Sequence, residues 1–118
     1  MNMVIKRDNK QLMMSDKQIK ETNTGDRGFN DHVAIVTGAG VGIGFEICRQ
    51  LALRGASVLL NDIDEALTQN SVEQIKSEGG NCIAFAGDAA DVGFIELMVS
   101  KAVSEFGKLT IAIANAGI

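Results

Sequence analysis

One stretch constrains the fold more than any other: Val33-Ala34-Ile35-Val36-Thr37-Gly38-Ala39-Gly40-Val41-Gly42-Ile43-Gly44, running on into Phe45-Glu46-Ile47-Cys48. Four apolar residues in a row, three of them β-branched, read as a short strand buried on both faces. A glycine-dense turn follows, and then helical apolar spacing at Ile43, Ile47 and Leu51. Strand, glycine turn and helix in that order make a nucleotide-phosphate site. The helix N-terminus presents free N–H groups and a partial positive charge, and glycines let the backbone approach the phosphates. An anion held there gains about 0.3–1 kcal/mol from the helix dipole, and up to about 2 when partly buried.

The rest of the chain repeats the same alternation. From Asp31 onward the pattern predicts strands over 32–36, 57–61, 81–86 and 109–114, with helices over 42–54, 65–77 and 92–106 between them. Asp64 and Asp91 are placed to cap the second and third helices, and Gly55, Gly79-Gly80 and Gly107 to end all three. Ile43, Ile47 and Leu51, with Phe45, Cys48 and Ala52, give the first helix a broad apolar face. The third is expected to use Phe94, Ile95, Met98, Val99, Ala102, Val103 and Phe106. The order βαβαβαβ predicts an α/β fold, the first half of a Rossmann-type doubly wound parallel sheet with strand order 3-2-1-4. The last strand, carrying Ile111 and Ile113, would then be a sheet edge. Exposed apolar edges invite aggregation, so the isolated chain is expected to be poorly soluble or molten.

The first 28 residues read differently. They are rich in Asn, Gln, Lys and Asp, with little hydrophobic periodicity, and predict a mostly disordered extension ahead of a truncated dinucleotide-binding domain over 29–118. Their Leu12-Met13-Met14 patch is far too short for a secretory core or a membrane span. Met14, ahead of Ser15-Asp16, reads as an alternative to Met1 for the translation start. The whole chain has a formal net charge of −4, against a nucleic-acid surface. Cys48 and Cys82 lack Cys-x-x-Cys spacing and a partner histidine, so they read as small buried hydrophobes with no metal site, consistent with a reduced cytoplasmic setting. His32 reads as a surface or capping residue.

The glycine spacing is more specific than the glycine count. A Gly-x-Gly-x-x-Gly fingerprint starting at Gly38 fails, because its last position is Ile43. Thr-Gly-x-x-x-Gly-x-Gly fits instead, at Thr37, Gly38, Gly42 and Gly44. With Asn115-Ala116-Gly117 further on, this pattern resembles the short-chain dehydrogenase/reductase family over about residues 29–118. The resemblance implies a nicotinamide cofactor held by Gly38, Val41, Gly42, Ile43 and Gly44, by Asp62 and Ile63, by Asp88 and Ala89, and by Asn115, Ala116 and Gly117. Asp62 lies 18 residues beyond Gly44, near the spacing of a ribose-binding acid. A 2′-phosphate about 4 Å from its carboxylate would be repelled by about 1 kcal/mol in water and about 4 at an effective dielectric of 20. NAD is therefore expected over NADP. Val41 also fills a loop position that is often Arg or Lys in NADP-preferring relatives.

Asp88 matches the family's adenine-contacting aspartate, and Ala114 replaces the first Asn of the usual Asn-Asn-Ala-Gly. The resemblance further implies hydride transfer between a nicotinamide and a small alcohol or carbonyl substrate, in enzymes that are usually homo-oligomers. The family's catalytic Ser, Tyr-x-x-x-Lys and helix Asn would lie beyond Ile118, and the chain has no tyrosine. No catalytic residue is assigned, and the chain by itself is expected to be inactive. The alternatives are a non-catalytic dinucleotide-binding or interaction module and a pseudogene product.

Overall fold

The computed structural model describes residues 3–6 and 28–116. Its elements are β1 (Met3–Lys6), β2 (Val33–Val36), α1 (Gly42–Leu53), β3 (Ser57–Leu60), α2 (Glu65–Ser77), β4 (Asn81–Ala84), α3 (Val92–Phe106) and β5 (Ile111–Ala114). Four strands are parallel: β5 beside β2, β2 beside β3, β3 beside β4. Counted among themselves they run 3-2-1-4, the order that the alternating pattern predicts.

The strands are apolar on both faces because both faces are covered. Ala34, Val36, Val58, Leu60 and Ile113 pack toward one side with Cys48, Leu51 and Ala52 of α1 and Val72 and Ile75 of α2. Val33, Ile35 and Leu59 pack toward the other with Met98 and Ala102 of α3. The helix ends follow local chemistry. Asp64 accepts from the Leu67 N–H at 3.0 Å to start α2, and Asp91 accepts from the Gly93 N–H at 2.8 Å to start α3. Such caps contribute about 1 kcal/mol each. Gly107 closes α3 with φ +89°, a conformation that a side chain disfavours. Both cysteines are buried and free, and burial pushes the Cys82 thiol up to about 12.

Several expectations need correction. The first-helix face does not include Ile43, which is exposed; the buried line is Gly44, Cys48, Leu51 and Ala52, because Gly44 is seated against the glycine turn. The third helix buries Met98 and Ala102, while Ile95, Val99 and Val103 stay exposed. His32 is not a simple surface residue: its Nδ1 lies 3.0 Å from Thr110 Oγ1 and its ring meets Phe29 edge-on.

The largest correction concerns the predicted disordered lead and the predicted bare edge. Residues 3–6 form β1, antiparallel to β5, with Val4 opposite Ile113 and Ile5 opposite Ala112. Met3-Val4-Ile5 is a short apolar run, and the edge of β5 offers unpaired backbone groups that a strand can satisfy. The remainder of the predicted extension, residues 7–27, lies outside the described residues. Deleting residues 1–6 is expected to expose this edge and produce concentration-dependent self-association in light scattering. A deletion variant that stays as monomeric as the parent would remove β1 from that role.

Candidate functional site

The glycine turn is built by three backbone devices. Gly38 and Gly42 have φ of +62° and +67°, which lets the chain reverse twice between β2 and α1. The Ala39 N–H donates to the Asn61 carbonyl at 2.7 Å, and the Gly40 N–H to Asp62 Oδ2 at 3.0 Å, so the turn is tied to the end of β3. Helix α1 then begins at Gly42 with no side-chain cap on Val41. The N–H groups of its first turn therefore have no carbonyl behind them, and the first intrahelical bond, Phe45 to Val41, is long at 3.4 Å. A Cβ at Gly42 would meet nothing within 4 Å, so the turn is open there. Free donors, a helix dipole and open space over a glycine are what a diphosphate requires.

Below the turn, Gly44 touches backbone. A Cβ on it would lie 2.7 Å from the Gly38 oxygen and 2.6 Å from Asn115 Nδ2. Asn115 Nδ2 donates to the Gly38 carbonyl at 2.8 Å, and Thr37 Oγ1 accepts from the N–H groups of Asn115 and Ala116 at 3.1 and 3.2 Å. The Thr-Gly start and the Asn-Ala end of the motif are thus one joined structure, although 77 residues separate them. Ala114 ends β5 opposite Met3. Gly117 lies outside the described residues.

Asp62 follows β3 at the rim. Its Oδ2 accepts from Gly40 and its Oδ1 from the Asp64 N–H at 3.3 Å, which leaves lone pairs on both oxygens for hydroxyl donors. Ile63 beside it is exposed. Across the gap, Asp88 Oδ1 accepts from the Ala90 N–H at 2.9 Å, which stabilises its own turn; the cap of α3 is Asp91. Gly38, Asp62, Ile63, Asp88, Ala89 and Ala116 line one cleft of about 560 Å³. The cleft continues over an apolar floor that includes Ile95, Val99, Leu109 and Ala112. Val41, Gly42 and Ile43 are outside that lining, exposed on the turn and the first turn of α1, while Gly44 and Asn115 lie beneath and beside it.

Two residues at the site escaped the sequence reading. Asn61 is buried at 1% exposure, and its Nδ2 donates to the carbonyls of Phe85 and Gly87 at 2.9 and 3.1 Å. Ser71, buried within α2, donates to the Gly40 carbonyl at 2.6 Å. The available signal was a polar residue at a core-facing position: Asn61 ending an apolar strand, Ser71 on the apolar face of its helix. Among the described residues, no group of three or more His, Cys, Asp or Glu could hold a metal ion, and no helix is long and apolar enough to cross a membrane.

Comparison with known proteins agrees with this geometry. Residues 32–118 match the model of the short chain dehydrogenase family. An uncharacterized oxidoreductase of Thermotoga maritima is 44% identical over 76% of this chain and 35% of its own length. Cyclohexanol dehydrogenase of Acinetobacter sp. (strain SE19) is 41% identical over 76% of this chain and 36% of its own. A crystal structure of a short chain dehydrogenase/reductase from Burkholderia phymatum in complex with NAD superposes with a TM-score of 0.66. It is 28% identical and covers 69% of this chain and 29% of that one. The chain thus spans about a third of the length of the curated relatives it matches. With the fold, the glycine turn and the matched family model in agreement, the chain belongs to the short chain dehydrogenase family.

Proposed function

We propose that the chain is the cofactor-binding part of an oxidoreductase that moves a hydride between a nicotinamide and a small alcohol or carbonyl compound, with NAD preferred over NADP. One observation carries the cofactor preference: Asp62 stands at the rim of the cleft, tied to the glycine turn through the Gly40 N–H, with lone pairs free on both carboxylate oxygens. In this reading the diphosphate lies against the turn at Gly38–Gly44, where Val41 and Ile43 flank it. The ribose hydroxyls donate to Asp62, and the adenine lies between Ile63 and the Asp88-Ala89 turn. Asn115 and Ala116 stand on the nicotinamide side of the cleft, and Gly117 follows them in the sequence motif. The cofactor itself would supply the hydride; the residues of this chain bind and orient it. The general acid and base are not among them, so this chain is expected to bind NAD without turning over an alcohol. The likeness to a cyclohexanol dehydrogenase supports the alcohol and carbonyl class and leaves the particular substrate open.

Calorimetric titration of the chain with NAD and NADP tests this. Saturable binding that favours NAD is expected, and Asp62→Ala is expected to shift the NAD:NADP affinity ratio toward NADP by about tenfold, the effect of removing one charge repulsion of about 1–2 kcal/mol. Equal affinities for both cofactors in the parent chain would overturn the preference. A second reading, a non-catalytic dinucleotide-binding module, draws support from β1, which pairs the β5 edge from within the chain itself. It predicts a monodisperse chain with NAD affinity and no dehydrogenase activity toward any alcohol.

A further inference from the structure

We propose that Ser71 is a positioning residue for the phosphate-binding turn, an inference that rests on the dinucleotide reading above. Ser71 is 6% exposed and sits in the middle of α2, on the side of that helix facing the turn. Its hydroxyl donates to the Gly40 carbonyl at 2.6 Å, a contact between residues 31 apart in the chain. Residue 40 is held from the other side as well, by Asp62 Oδ2 on its N–H. It is also crowded: a Cβ there would lie 2.7 Å from Leu67 Cδ2 and 2.9 Å from Asp62 Oδ2. Only glycine lets α2 and the ribose-side acid close on the turn from both sides.

The consequence follows from peptide geometry. The Gly40–Val41 peptide is trans and planar, so its C=O and N–H point in opposite directions. Ser71 draws the carbonyl toward α2, and the Val41 N–H is thereby turned away from α2. Without the hydroxyl, the carbonyl has no donor in the buried space beside α2, and this peptide can rotate. A rotated peptide would present a carbonyl oxygen where the anchored one presents an N–H, and an oxygen there repels a phosphate. Ser71 thus sets the polarity of the turn without touching the ligand. Asp62 holds the preceding peptide through the Gly40 N–H while facing the ribose, so the ribose half keeps an anchor of its own when Ser71 is changed.

The test compares two probes on the whole chain by NMR titration. ADP-ribose carries the diphosphate; adenosine carries only the ribose hydroxyls and base. Ser71→Ala is expected to weaken ADP-ribose by about three- to tenfold, the effect of one hydrogen bond, while adenosine changes less than about twofold. Amide hydrogen exchange at Val41 and Gly42 should quicken with no change at Leu59 in the sheet. Equal weakening of both probes, or of neither, overturns the proposal, because a purely structural serine cannot distinguish them. Should Ser71→Ala not fold, Ser71→Thr, which keeps the hydroxyl, carries the test. Its ADP-ribose to adenosine affinity ratio should equal the parent's, and a collapsed ratio with the hydroxyl in place sinks the idea. If the parent chain binds neither probe, the dinucleotide reading itself fails, which is distinct from a parent that binds and a variant that binds equally well.

Discussion

Gly44→Ala is expected to destabilise the chain by about 1–3 kcal/mol and to abolish nucleotide binding, although the same change inside an ordinary helix stabilises by about 1 kcal/mol. The sign reverses because of what the new methyl meets. It would lie 2.6 Å from Asn115 Nδ2, 2.7 Å from the Gly38 oxygen and 2.9 Å from Ala39 Cα. Two of those are backbone atoms of the turn, which cannot rotate aside as a side-chain tip can. The third belongs to the hydrogen bond from Asn115 to Gly38, so the methyl forces apart the two strands' ends that this bond joins. Either α1 tilts off the sheet and exposes Cys48 and Ala52, or the turn lifts and its donors leave the cleft. For a domain of this size about 1 kcal/mol moves the thermal midpoint by about 4–8 °C. A calorimetric scan of Gly44→Ala that melts at or above the parent temperature would mean that Gly44 is not in contact with the turn.

Gly44 also shows what a sequence makes legible. Its place in the Thr-Gly-x-x-x-Gly-x-Gly pattern is a local signal, and so are Asp64 and Asp91 ahead of their helices, whose limits at 65–77 and 92–106 match the structure. Each of these acts on backbone groups within a few residues, which spacing can express. What was not legible depends on pairs far apart. Met3–Lys6 carries only the three-residue apolar run Met3-Val4-Ile5, too short by itself to mark an edge strand; its partner is β5, more than a hundred residues on. Ile95, Val99 and Val103 have the period of a buried face, yet the described residues leave them exposed, because periodicity reports which residues are apolar and not what is there to cover them. Ser71 and Asn61 become meaningful only when carbonyls from residues 40, 85 and 87 arrive beside them.

Asn61 carries the other large effect. Its Nδ2 supplies both protons to the carbonyls of Phe85 and Gly87, and its own carbonyl accepts from Ala39 at 2.7 Å. One buried residue thus meets three segments: its backbone carbonyl holds the glycine turn, and its side chain ties the end of β3 to the turn that presents Asp88 and Ala89. Asn61→Asp keeps the shape and removes both protons. An ionised carboxylate would face two carbonyl oxygens at about hydrogen-bonding distance in a buried site, where an uncompensated charge costs about 3–5 kcal/mol. The variant avoids part of this by staying protonated, so its folded pKa rises above the unfolded value of about 3.9. The sign follows: the folded state holds the extra proton, so stability relative to the parent falls as pH rises from about 4, by up to about 1.4 kcal/mol per pH unit, until the folded pKa is reached. Below about pH 4 the protonated acid still donates one bond, and the loss shrinks to about 1 kcal/mol. Asn61→Ala loses both bonds and leaves a cavity, about 2–3 kcal/mol, with no titrating group and therefore no added pH dependence. Urea midpoints of the three chains at pH 4 and pH 7 separate these outcomes. An Asn61→Asp deficit that is the same at both pH values would mean that the side chain is not confined against those carbonyls, and with it would go the tie between the end of β3 and the Asp88 turn.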